Sequence, residues 1–220
     1  MKKYMLALLI VLSAVYLSGC GTENNESSLN NQSSDVEYGE SDYANIVPSN
    51  NKLGFKILSE IQRDSSENIF FSPTSLMMAL SMVYNGASGD TKDEIGKVLH
   101  AEGIDINDLN RANASLMSTL NKDTEHVDLI IANSIWLNET YHIQDEFSQQ
   151  TEDYFNAKIE ALNFGSPETP KQMNDWVKQA TSDKIDHIVD SPLDQDLVSI
   201  LMNAIYFKGN WKYEFDQSLT

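Results

Sequence analysis

Cysteine is almost missing from this 220-residue chain; the sole one is Cys20. With no second thiol there is no internal disulfide to form, which excludes the disulfide-framed scaffolds of small secreted domains. Positive charge is scarce as well. Against 33 Asp and Glu stand 15 Lys and Arg, a formal net charge of −18, and such a surface repels phosphate backbones, so no nucleic acid is expected as a partner. Metal-site and catalytic patterns are also lacking. None of His100, His126, His142 and His187 falls in an HExxH pattern. Glu139-Thr140-Tyr141-His142 has ExxH spacing, but di-iron sites need two such pairs on facing helices. No GxSxG is present, and Gly86-Ala87-Ser88-Gly89 has the wrong spacing. Phosphate-loop and dinucleotide fingerprints are absent, and Asp105 to Asp108 does not match a calcium loop. No metal, no small-molecule cofactor and no enzymatic activity is expected.

What is present begins with a leader. Lys2 and Lys3 precede an almost wholly apolar run from Leu6 to Leu17, followed by the small Ser18 and Gly19. The run is short for a membrane span and reads as an export signal, an uncleaved N-terminal anchor being the alternative. Leu17-Ser18-Gly19-Cys20 resembles the lipobox of prokaryotic lipoproteins. That resemblance implies a signal peptide over 1–19, cleavage before Cys20, a diacylglyceryl group on its thiol, and a prokaryotic source. Two acyl chains suffice for stable anchoring, so the expected location is the cell envelope, facing away from the cytoplasm. Residues 20–44 are rich in Asn, Ser, Glu and Gly and poor in large aliphatics. They cannot bury enough apolar surface to offset ordering entropy and read as a flexible tether. Asn25, Asn31, Asn113 and Asn138 each open a glycosylation sequon, a short and weak pattern.

From residue 45 the periodicity is that of a folded domain, long enough for one sizeable core. Leu53, Ile57, Leu58 and Ile61 share a helical face, which predicts a helix over roughly 49–63. Ile69-Phe70-Phe71 is a short strand candidate. Ser72 as cap and Pro73 at the first position predict a second helix. It carries Leu76, Leu80, Val83 and Tyr84 and ends at Asn85-Gly86, glycine suiting a left-handed C-cap. A third opens at Thr91 with Glu94 completing a capping box, and has Ile95, Val98 and Leu99 inside. Ile106 to Leu120 is a fourth, with Leu109, Leu116, Met117 and Leu120 as core. The period then changes to two. Val127 to Leu137 is apolar on both sides, as in a strand covered on both faces. A helix over Gln144–Phe155, a strand over Lys158–Phe164, a helix from Pro170 with Met173, Trp176, Val177 and Ala180 inside, and a strand over Val198–Phe207 follow. Methionines fall mainly at core positions and read as filler. Helices preceding alternating strands and helices predict an α+β domain with helices packed on a large sheet.

Four stretches carry a resemblance to a known family. Asn68 to Leu99 reads NIFFSPTSLMMALSMVYNGASGDTKDEIGKVL and is similar to the helix B and helix C region of serpins. Ala132-Asn133-Ser134-Ile135-Trp136 resembles the serpin strand 2A. Met173-Asn174-Asp175-Trp176-Val177 through Lys184-Ile185 resembles helix F. Met202 to Trp211, MNAIYFKGNW, resembles strand 3A and its following turn. The motifs occur in order over the folded part, so the fold expected is serpin-like. The resemblance implies inhibition of a serine or cysteine protease, which cuts a reactive-centre loop and forms an acyl-enzyme. The cut loop then enters sheet A as a new strand and distorts the protease.

By position, Ser72, Ser75 and Asn203 match the family's shutter residues under the sheet, and Trp211 matches its breach tryptophan. The residues agree with the first assignment. Asn203 sits in an apolar run, where a buried amide needs partners, and Ser72 and Ser75 offer them; the alternative for Asn203 is an edge-exposed strand residue. Trp211 read alone could be an ordinary aromatic core residue. The family's second half, with its reactive-centre loop, does not follow Thr220 in this sequence, so residues 45–220 read as the N-terminal part of a serpin domain, with strand 3A left as a long apolar edge. The expected partner is a target protease, with the membrane reached through Cys20. A non-inhibitory serpin-fold binding protein and a solute-binding lipoprotein are the alternatives.

Overall fold

The computed structural model describes residues 36–61, 68–121, 126–213, 216 and 218. Cys20, the expected signal peptide, the first part of the expected tether and the sequons at Asn25 and Asn31 lie outside the described residues.

Local chemistry sets the elements. Ser72 takes the extended conformation of an N-cap, its hydroxyl accepts from the Ser75 amide, and Pro73 stands in the first turn. Asp105 caps another helix by accepting from the Asn107 amide. The order is α1 (Val47–Glu60), α2 (Pro73–Gly86), α3 (Gly89–Val98), α4 (Ile106–Leu120), β1 (Val127–Asn138), α5 (Asp145–Phe155), β2 (Ala157–Leu162), α6 (Glu168–Ala180) and β3 (Ser199–Gly209). The three strands form one sheet in the order β2-β1-β3. β1 is parallel to β2, with Ile135 beside Ile159, and antiparallel to β3, with Asn133 directly opposite Asn203.

The sheet lies between two helical layers, the α+β arrangement expected. On one face Ala132, Trp136, Met202 and Ala204 pack with Met173, Trp176, Val177 and Ala180 of α6. Trp136 and Trp176 meet edge to face at 6.0 Å, a geometry that favours aromatic pairs. On the other face Ile131 and Ile205 pack with Met78 and Met117, and Leu201 with Met82 and Phe155. A layer below holds Ile46, Leu53, Met77, Leu99 and Leu109. Covering both faces explains the continuous apolar run of β1, which is buried from Ile131 to its end. Met77, Met78, Met82, Met117, Met173 and Met202 are all buried, as filler should be.

Several expectations are corrected. Ile69-Phe70-Phe71 forms no strand; among the described residues no strand lies beside it to pair with, and Phe70 projects outward. The buried face of α2 is Met77, Met78, Ser81 and Met82, while Leu76 and Val83 are exposed. In α1, Leu53 is buried but Leu58 is exposed, as is Val98 of α3. α3 starts two residues before Thr91, behind Ser88, so no capping box forms there. Gly86 is not left-handed; the Phe147 ring lies 2.9 Å from where its Cβ would sit, so the glycine admits a neighbour rather than a turn. The tether does not extend to residue 44. Asp42 to Asn45 form a 3-10 turn, the Asp42 carboxylate accepts from Gly39 N at 2.7 Å, and Ser115 of α4 bonds both Tyr43 N and Glu40 O. These polar contacts order a segment whose composition alone would not. Asn113 and Asn138 are buried, which removes both as glycan acceptors.

Candidate functional site

A chain of neutral side chains runs through the middle of the sheet. The Ser72 hydroxyl accepts from Ser75 N at 3.2 Å, holding the first turn of α2. The Ser75 hydroxyl donates to Asn203 Oδ1 on β3. Asn203 Nδ2 donates to Asn133 Oδ1 on β1 at 2.7 Å, and Asn133 Nδ2 donates to the Phe155 carbonyl at the end of α5 at 2.8 Å. Four elements are thereby joined by one directional relay.

The strand period produces this alignment. Asn133 and Asn203 are register partners across an antiparallel pair, so both side chains leave the sheet on one face, the face α2 covers. Ser75 reaches that face because Ser72 and Pro73 fix where α2 begins. Met78, Met82 and Met117 wall the site, and in such surroundings an amide without a partner is costly. The site contains no ionisable group, so its bonds do not respond to titration. Asp216 lies away from it; side-chain and backbone hydrogen bonds from Ser218 hold its carboxyl below the usual range.

Of the residues singled out in the sequence, Ser72, Ser75 and Asn203 come together. Only Ser75 bonds Asn203; Ser72 acts one step back, as a cap. Trp211 does not join them. It follows the end of β3 and is 71% exposed, so it is not an ordinary core residue. Asn133 was missed. It is an amide in an apolar run, the same signal that pointed to Asn203, but it passed as one letter of a strand motif.

Beyond this relay, β3 has β1 on one side and, among the described residues, no strand on the other. Phe207 and Tyr213 are exposed at the same end as Trp211. A cleft of about 700 Å³ opens behind the start of β3, lined among others by Val83, Lys92, His142, Phe147 and Leu201. None of its lining residues is buried, unlike the enclosed apolar pockets that hold small ligands.

Comparison with known proteins agrees with the geometry. The family model described as Serpin (serine protease inhibitor) matches residues 48–220. Serpin B8 of Homo sapiens is 36% identical over 171 residues, which are 76% of this chain and 44% of that protein. A serpin-like protein of Methanosarcina mazei is 30% identical over 233 aligned positions, covering 100% of this chain and 54% of that protein. The chain thus spans about half the length of the curated relatives it matches. The crystal structure of the thermophilic serpin Tengpin in the latent state superposes with a TM-score of 0.71 at 31% identity, covering 83% of this chain and 48% of that one. The family model spans most of the chain and the helices with their mixed sheet superpose on a solved serpin, so this chain belongs to the serpins.

Proposed function

We propose that this chain is the N-terminal part of a serpin that inhibits a serine or cysteine protease by adding its cut reactive-centre loop to the sheet. The observation that carries the reading is the pairing state of β3. Its inner edge is bonded along β1, its centre is tied to α2 and β1 through Asn203, and its outer edge has no strand among the described residues. In this reading β3, tied at its centre by the relay, is the strand beside which the cut loop would pair. Inhibition in this scheme is a mechanical event in the sheet, with the chemistry supplied by the protease, so the chain needs no catalytic group of its own.

The same proposal places the protein outside the cytoplasm, held by lipid on Cys20. In this reading the polar residues that follow Cys20 would serve as the spacer to the domain. The net charge of −18 offers no attraction to an anionic membrane, so membrane attachment would rest on the lipid.

The test mixes the native protein with a panel of serine and cysteine proteases. An SDS-stable complex at the summed mass supports inhibition. Cleavage without a complex would instead mark a non-inhibitory member of the fold. Cys20→Ala should move the protein from the membrane fraction to the soluble one; unchanged partitioning would refute the anchor.

A further inference from the structure

The helix F motif contains an asparagine to which no role has been given above, and the structure uses it fully. Asn174 sits on α6, half-buried. Its Oδ1 accepts from Ile188 N at 2.9 Å and Val189 N at 3.0 Å. Its Nδ2 donates to the Val189 carbonyl at 2.9 Å and reaches His187 Nδ1 at 3.3 Å. A primary amide has two acceptor lone pairs and two N–H donors, and all four are engaged by one short stretch of chain.

That stretch is the middle of a strap, residues 181–198, which returns from α6 to β3 across the sheet. It has no helix or strand of its own. Of its apolar side chains only Val189 and Leu193 turn inward, onto the cluster of Trp136, Trp176 and Met202. So little apolar burial leaves polar pins to hold the strap down. At its start Thr181 Oγ accepts from Ile185 N at 3.0 Å. At its end Asn138 Nδ2 donates to the carbonyls of Gln195 at 3.0 Å and Leu197 at 3.1 Å. Thr181 closes a local turn and Asn138 belongs to β1, so Asn174 is the pin that binds the strap's middle to α6.

We propose that Asn174 is a positioning residue that locks the strap over the β1–β3 pair and so sets how readily the sheet rearranges. While it is engaged, α6, the strap and β1 form one block from the Asn174 amide to the Asn138 amide. When it lets go, Val189 and Leu193 are free to lift, and β1 and β3 can shift beneath α6. The role in rearrangement rests on the loop-insertion reading above; the pin itself does not.

Hydrogen exchange on the native protein reads the pin without any protease. In Asn174→Ala, the Ile188 and Val189 amides should exchange about tenfold faster or more, while α4 stays protected, because a local opening is released rather than the whole fold. Asn174→Asp keeps acceptors for the Ile188 and Val189 amides but sets a carboxylate oxygen against the Val189 carbonyl that Nδ2 binds, so it should restore little of their protection. His187→Ala should change little. Unchanged exchange in Asn174→Ala, loosening that spreads equally through α4, or full protection in Asn174→Asp would each overturn the pin. Where the native protein traps a protease, Asn174→Ala should raise the share of cut molecules that end as covalent complex rather than as released product. An unaltered share, with the strap shown to be loose, would overturn the role in rearrangement. A native protein that traps no protease would refute the inhibitor reading and leave the pin to be judged by exchange alone.

Discussion

At the scale of single residues, Asn203 is the most exacting position in the sheet. Replacing it with alanine removes the acceptor for Ser75 and the donor to Asn133 together. Asn203→Ala should therefore destabilise by about 1–3 kcal/mol, the cost of stranding the buried Asn133 and the half-buried Ser75, read as a shift in denaturant midpoint at unchanged slope. Asn133→Ala should cost a similar amount. The double mutant should cost less than the sum, since the two share one bond; strict additivity would show that the relay is not a unit. None of its side chains ionises, so the Asn203→Ala deficit should be the same at pH 5 and pH 8. A deficit that tracks pH would mean that a titrating group outside the relay takes part.

At the scale of elements, α2 is where the sequence was read best and worst. Its start was legible because capping is local chemistry: a serine in extended backbone, then a proline whose missing N–H costs nothing. Ser72→Ala should lower stability by about 1 kcal/mol, read from the same denaturant curves. Its buried face was misread because apolar residues surround the helix, and periodicity cannot choose between Leu76 and Met77 when both are apolar. Tertiary neighbours decide, and α1 is one of them. The would-be Cβ of Gly54 on α1 lies 2.7 Å from Pro73 Cγ, so the two helices touch with no room for a side chain. Gly54→Ala should destabilise by about 1–3 kcal/mol through overpacking, despite alanine's better helix propensity. A stabilised variant would show that the contact is loose. The strap was illegible for the opposite reason: its order comes from the side-chain amides of Asn174 and Asn138, 13 or more residues distant in sequence, rather than from any period of its own.

At the scale of the whole molecule, β3 has no strand on its outer side among the described residues, and Phe207 near its end is 64% exposed. Such an edge invites pairing with another chain. Any preparation in which the outer edge of β3 is open should self-associate, and Phe207→Lys should reduce the associated fraction in light scattering; an unaffected fraction would place the contact elsewhere. The motifs made family membership legible, because they are dense and ordered along the chain. How the strands sit against one another was not, since register depends on partners far away in sequence.

The most direct test of the central claim, that β3 takes up an added strand, is the melting temperature of the native protein before and after limited cleavage by a protease. Insertion of the cut loop would add strand pairing beside β3, and several kcal/mol of added stability would raise Tm by about 10 °C or more in a domain of this size. A clear rise is the expected result. A cut protein that melts at the same temperature as the uncut one, or below it, would contradict loop insertion.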